Sequence, residues 1–298
     1  MMKNWLKILM LLLMACGPMQ AGEIHDAVKS GDLEKLKQLL AAKPELVNAK
    51  IGTEEYTPLH VAAMEGKREI AEFLLANKAN VKARDYAHDT PLHTAVQGGK
   101  KDIVELLIAN KADLDAKNVE GNSPLTMALL ADREDIALLL LAKGTSVTQD
   151  VAAFVLIHAV ENARKELVEQ MLARKADVNA RIKFGQGAES FEFTPLHMAA
   201  AANQNTEIAE LLLARKAGVN AKDDVGRTPM HYAARSGNID MIKLLLAHNA
   251  EINAKDRMGR TALDLAERKK LAEVVTLLRS HGGKSGKELG DAGAAKTK

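Results

Sequence analysis

Apolar residues recur along this chain at i, i+3 and i+4, in blocks that themselves return about every 33 residues. Ile70, Phe73, Leu74 and Leu75 are followed by Ile103, Leu106, Leu107 and Ile108, then by Ile136, Leu139, Leu140 and Leu141. The pattern resumes at Ile208, Leu211, Leu212 and Leu213 and again at Met241, Leu244, Leu245 and Leu246. That spacing predicts helices with one face that must be buried. Ahead of each block lies a shorter, alanine-rich stretch that opens on Thr-Pro. Thr57, Thr90, Thr194 and Thr228 are predicted N-caps, their hydroxyls accepting from first-turn amides. Pro58, Pro91, Pro124, Pro195 and Pro229 then fall at the first helical position, where no N–H is missed. Each pair of helices is followed by Ala-x-Val-x-Ala-Lys/Arg, as in Ala79 to Arg84, and by a turn containing Gly121, Gly226 or Gly259. Such turns suit hairpins between units.

One phrase carries the period. It begins at Thr57 (TPLHVAA), Thr90 (TPLHTAV), Ser123 (SPLTMAL), Thr194 (TPLHMAA), Thr228 (TPMHYAA) and Thr261 (TALDLAE), with starts 33, 33, 71, 34 and 33 residues apart. The long gap holds a worn copy, Phe154 to Val160 (FVLIHAV). From about Gly22 to His281 the chain resembles the ankyrin-repeat family, whose signature is T-P-L-H-x-A at a 33-residue period. The expected fold is all-α, an ankyrin-repeat solenoid of helix pairs joined by short β-hairpin turns. One helix pair cannot bury its apolar face, so the pairs must stack. The expected organisation is a signal segment over 1–21, one elongated domain over 22–281 and a disordered tail over 282–298. The domain comprises a front cap, Glu23 to Asn48, and about seven units, of which the fourth is degenerate.

Composition adds an export signal and removes one class of partner. Lys3 and Lys7 precede an apolar run of about ten residues, Leu6 to Ala15, too short to span a ~30 Å hydrocarbon core but suited to a secretory signal. Cys16, the single cysteine, closes that run as Leu-Met-Ala-Cys. This resembles the bacterial lipobox, which implies cleavage before Cys16 and its lipidation, with anchoring through several acyl chains. A cut after Ala21 would instead release a soluble periplasmic or secreted protein. In either case the folded part has no disulfide. Lys and Arg total 41 against 39 Asp and Glu, and the repeat body alone is close to neutral. Nucleic-acid binding draws its affinity from basic patches on phosphates, and the overall balance argues against it.

No arrangement in the sequence announces catalysis. There is no GxGxxG or GxxxxGK[ST] loop, no cysteine nucleophile in the folded part and no Ser-His-Asp spacing. An enzyme, a cofactor and a metal are therefore not expected. His60, His93, His197 and His231 stand one repeat apart, too far to share a ~2 Å metal–ligand shell. The family resemblance implies that they hydrogen-bond to backbone of adjacent turns and order the stack.

Departures from the repeat point to function. Between Ala180 and Thr194 the chain carries an insertion over 181–193 that holds Phe184, Phe191 and Phe193, three of only five phenylalanines. Aromatic residues on a protruding loop either anchor a partner or fold back on the worn fourth unit, with Phe193 placed as a hydrophobic staple. In the resembling family the hairpin tips and the exposed side of the first helices form a concave partner-binding surface. That implies roles for Tyr56, Tyr86, His88, Met64, Gln97, Tyr232 and Arg235. Where the family usually has glycine after the second helix, this chain has Lys78, Lys111, Lys175, Lys216 and Asn249, keeping Gly144. Positive φ there costs lysine about 1 kcal/mol against glycine. The expectation is a monomer that binds protein partners in the bacterial envelope, touching membrane only through a lipid anchor, or alternatively a secreted effector.

Overall fold

The computed structural model describes residues 21–184, 191–202 and 205–294, apart from the side chains of 182–184, 191 and 291–294. Cys16 and most of the expected signal segment, residues 1–20, lie outside the described residues. The chain divides into two compact units between Ser146 and Val147. The division falls ahead of the worn copy.

The first unit contains α1 (residues 21–30), α2 (Leu33–Ala42) and a 3-10 turn (Pro44–Asn48). Three helix pairs follow: α3 (Pro58–Glu65) with α4 (Arg68–Ala76), α5 (Pro91–Gln97) with α6 (Lys101–Ala109), and α7 (Pro124–Leu130) with α8 (Glu134–Ala142). The second unit contains α9 (Gln149–Glu161) with α10 (Lys165–Ala173), then strands β1 (Ile182–Phe184) and β2 (Phe191–Phe193). After these come α11 (Pro195–Ala201) with α12 (Thr206–Ala214), α13 (Pro229–Ser236) with α14 (Ile239–Ala247), and α15 (Ala262–Arg268) with α16 (Ala272–Ser280). A last helix, α17, runs Gly286–Ala294. The architecture is the expected helical repeat. The insertion adds one small antiparallel pair, with Ile182 opposite Phe193 and Phe184 opposite Phe191.

Burial follows the repeat. Leu59, Ala62 and Ala63 on α3, and Leu92, Ala95 and Val96 on α5, are almost wholly buried, as are Ile70, Ala71, Leu74, Ile103, Val104 and Leu107 on the second helices. Alanine on the first helices lets α3 lie close to α5, and α11 close to α13. The worn fourth unit departs locally. With Val155 where its neighbours have proline, nothing forces the helix to start there, and α9 extends back to a cap at Thr148.

Thr-Pro-Leu-His keeps the expected cap and ties the histidine into it. The Thr57 hydroxyl stands in a capping box with the backbone N–H of His60, and it also lies 2.8 Å from His60 Nδ1, which receives the Thr57 N–H. His60 Nε2 then donates across the repeat to the Asp89 carbonyl at 3.1 Å. His93 reaches Asn122 O, His197 reaches Arg227 O and His231 reaches Arg260 O in the same way. The front cap has this device without the phrase: His25 Nε2 lies 2.7 Å from Tyr56 O. Its signal was legible in Ile24-His25-Asp26-Ala27, which matches the Leu-His-x-Ala register.

The tail corrects an expectation. A disordered segment was expected from Gly282, yet 286–294 is helical and docked. Asp264, which stands in the histidine position, accepts from Thr261 N and from Gly286 N at 2.7 Å each. Asn253 donates to Gly282 O and accepts from Lys284 N, as Asn220 does with Asn249 O and Glu251 N one repeat earlier. Arg279 pairs with Glu288. Lys284 and Gly286 thus fill the backbone positions that the next repeat would have filled.

Candidate partner-binding surface

Four of the inter-repeat fingers are turns closed by their own backbone and locked by an acidic or amide side chain. Asp223 Oδ1 accepts from Val225 N and Arg227 N, and Asp256 Oδ1 accepts from Met258 N and Arg260 N. Asn118 Oδ1 does the same for Glu120 N and Asn122 N, while Asp85 Oδ1 receives Asp89 N. Neighbouring fingers are tied by single backbone bonds: Tyr86 N to Glu54 O, Val119 N to Ala87 O, Arg257 N to Val225 O. With tip backbones fixed, the side chains they present are held in repeating register.

In the first unit that register exposes several large apolar side chains. Tyr86 is 71% exposed and Val119, one finger on, is 61% exposed. Along the ends of the first helices, Met64 and Leu130 are exposed at matching positions, with Gln97 exposed between them. Sequence reasoning found Tyr86, Met64 and Gln97 but missed Val119 and Leu130, which occupy the same places in the next units. His88 is exposed and stands at φ 61°, where the corresponding fingers have Gly121, Gly226 and Gly259. Tyr56 is only part-exposed. It bridges to Ile51 and lies over His60, and burial with nearby acids pushes its phenol up.

The second unit presents different chemistry. Tyr232 is half-buried: its hydroxyl donates to Asp223 Oδ2 at 2.6 Å, and its ring meets Phe193 edge-on at 5.6 Å and His197 at 5.7 Å. Burial first, then Asp223, pushes its phenol far above the ordinary range. Phe193 therefore packs on the following unit. Phe184 and Phe191 are opposite in backbone register at the end of the strand pair farther from its base, and their side chains lie outside the described residues. The base of the hairpin is tied down by Glu192 N, which donates to Asp224 Oδ2 at 2.8 Å. Arg235 is exposed at the end of α13.

Both ring nitrogens of His60, His93, His197 and His231 are engaged within the fold, and burial holds all four below the usual histidine range, His60 at about 4. They are structural, neutral and Nε2-protonated. Among the described residues no group of three or more His, Cys, Asp or Glu is arranged to hold a metal ion. No helix among them is long and apolar enough to cross a membrane.

Comparison with known proteins agrees with this geometry. A profile described as Ankyrin repeats (3 copies) matches residues 24–118, 84–151, 156–256 and 196–288. The chain is also similar to the crystal structure of the human ASB11 ankyrin repeat domain, at 27% identity and a TM-score of 0.60, over 75% of this chain and 98% of that one.

Proposed function

The chain belongs to the ankyrin-repeat family, whose domains are generally non-catalytic modules that bind proteins, and on that premise we propose that it binds a partner protein in the bacterial cell envelope. The observation that carries this reading is the set of exposed side chains held in register on rigid fingers and helix ends, with Tyr86 the most exposed aromatic among the described residues. A preformed surface of this kind loses little conformational entropy on binding. Large aromatic side chains supply much of the contact energy at interfaces.

Envelope placement rests on the lipobox-like Leu13-Met14-Ala15-Cys16. One structural detail favours cleavage before Cys16 over cleavage after Ala21. Ala21 is buried at the start of α1, and His25 Nδ1 lies 2.5 Å from its carbonyl oxygen. Cleavage after Ala21 would delete that partner. A secreted effector that binds proteins of a host or competing cell is the alternative, and it requires the later cut.

In-cell crosslinking and affinity capture of the full-length protein test the reading, alongside Tyr86→Ser/Val119→Ser and Phe184→Ala/Phe191→Ala variants. One envelope partner, lost in either variant, is the expected result. Capture of no envelope partner, together with an N-terminus at Gly22 in the culture medium, would replace this reading by the effector.

A further inference from the structure

Arginine enters the repeat register twice in the last two full units and at neither place elsewhere. Immediately before the helix-capping threonine stand Arg227 and Arg260, where the other full units have Tyr56, Asp89, Asn122 and Phe193. Seven residues after that threonine stand Arg235 and Arg268, where the others have Met64, Gln97, Leu130 and Ala201. The fold brings the four together. With Lys269 they line a cavity of about 380 Å³ between α13, α15 and their fingers, closed on one side by Leu265.

The acids beside this cavity are already committed. Asp256, fully buried at its side chain, spends Oδ1 on its own turn. Its Oδ2 receives Arg260 Nε at 2.9 Å and Nη2 at 2.7 Å, with Arg227 Nε 3.8 Å away. Asp223 is likewise spent on its turn and on Tyr232. Glu267 on α15 is drawn to Arg279 at 3.0 Å. Arg235, Arg268 and Lys269 have no hydrogen-bond or ion-pair partner for their side chains among the described residues, and all three are exposed. The cavity therefore holds uncompensated positive charge in a chain whose totals nearly balance.

We infer that this cavity is a binding site for an extended acidic segment of a partner protein, with carboxylates about three residues apart. The cations are arranged in two ranks, one per repeat, rather than around one point. Adjacent packed helices lie roughly 8–10 Å apart, and an extended chain in polyproline II geometry turns once in three residues while advancing roughly 3.1 Å per residue, so side chains at i and i+3 share a face and meet successive ranks. Guanidinium forks take carboxylates bidentately. Asp256 fixes Arg260 and Arg227 in place, while Arg235 and Arg268 stand ready at the rim. The site deepens the protein-binding reading above and rests on it for the nature of its occupant.

Fluorescence anisotropy of the full chain with a labelled peptide of Glu-Gly-Ser repeats tests the site, at about 50 mM salt, where exposed charges are weakly screened. The expected result is saturable binding that weakens at least tenfold for the Gln-Gly-Ser peptide and at least tenfold for Arg235→Gln/Arg268→Gln. A Lys243→Gln control should bind as the parent does. The two arginine side chains are exposed and make no hydrogen bond or ion pair among the described residues, so the double variant should keep the parent's melting temperature. Binding unchanged in the double variant, or unchanged with the glutamine peptide, would overturn the inference. Displacement of the peptide by inorganic phosphate at micromolar concentration would also overturn it, since that marks a single-anion pocket. Failure of peptide binding while the captured partner persists would sink the site and leave the protein-binding reading intact. Peptide binding with no partner captured would do the reverse.

Discussion

A neutral imidazole at His60 accepts from Thr57 at Nδ1 while donating to Asp89 O at Nε2; a protonated one can only donate, and the Thr57 N–H would be turned away. Burial holds the folded pKa of His60 at about 4, and His93, His197 and His231 are lowered for the same reason. Between pH 6.5 and 4 the unfolded chain thus binds protons that the folded chain refuses. The His60 contribution is complete above about pH 6.5, declines as pH falls toward 4 and changes little below that, and His93, His197 and His231 act in the same direction. For His60 alone the loss is roughly 3 kcal/mol at most. Urea unfolding across this window should show the decline, and His60→Gln should flatten part of it; an unchanged slope would remove His60 as its cause. A second prediction concerns the helix ends. Lys78, Lys111, Lys175 and Lys216 adopt φ of 61–67°, and Asn249 63°, as the missing glycines implied. Replacing Lys111 by glycine should raise unfolding free energy by about 0.5–1 kcal/mol, whereas Ala109→Gly at the last position of α6 should lower it.

At the scale of elements the informative case is α17. Composition alone marked 282–298 as unstructured, because a Gly- and Lys-rich stretch has no apolar face of its own. What orders 286–294 is a partner that the repeat supplies, namely the unfilled positions beyond the last unit. Asp264 was legible only as a departure from histidine. Its purpose needed the structure: histidine donates to a carbonyl of the next unit, whereas here the next backbone group is the Gly286 N–H, which requires an acceptor. Asp264→His should therefore preserve the bond to Thr261 but set donor against donor at Gly286. Hydrogen exchange should then show loss of protection confined to residues 286–290. Gly286→Ala gives an independent check, because its Cβ would run into the Gly259 carbonyl oxygen although alanine favours helix. If both variants keep α17 protected, the contact is not what holds it. Helix pairs, caps and fingers were readable because each is specified within one period. The strand pairing of Phe184 with Phe191 and the spread of α9 to Thr148 were not, since an insertion and a missing proline leave no period to read.

For the whole molecule the sequence totals conceal what the surface separates. A near-balanced charge says nothing of where cations concentrate, and that required the register of each repeat. The first unit shows Tyr86, Val119, Met64 and Leu130 to solvent; the second gathers Arg227, Arg235, Arg260, Arg268 and Lys269 around one cavity. The two chemistries respond differently to salt. Contacts through exposed charges weaken as the Debye length shortens from about 10 Å at 0.1 M to about 3 Å at 1 M, whereas apolar burial does not. Retention of a captured partner on the immobilised full chain should therefore lose its arginine-dependent part by 1 M salt. The part that depends on Tyr86 and Val119 should remain. Tyr86→Ser/Val119→Ser should leave the unfolding free energy within about 0.5 kcal/mol of the parent, as expected for exposed positions, and should raise the dissociation rate at least tenfold in 1 M salt. A partner that leaves the parent entirely in 1 M salt would show that the first unit's apolar register takes no part in holding it.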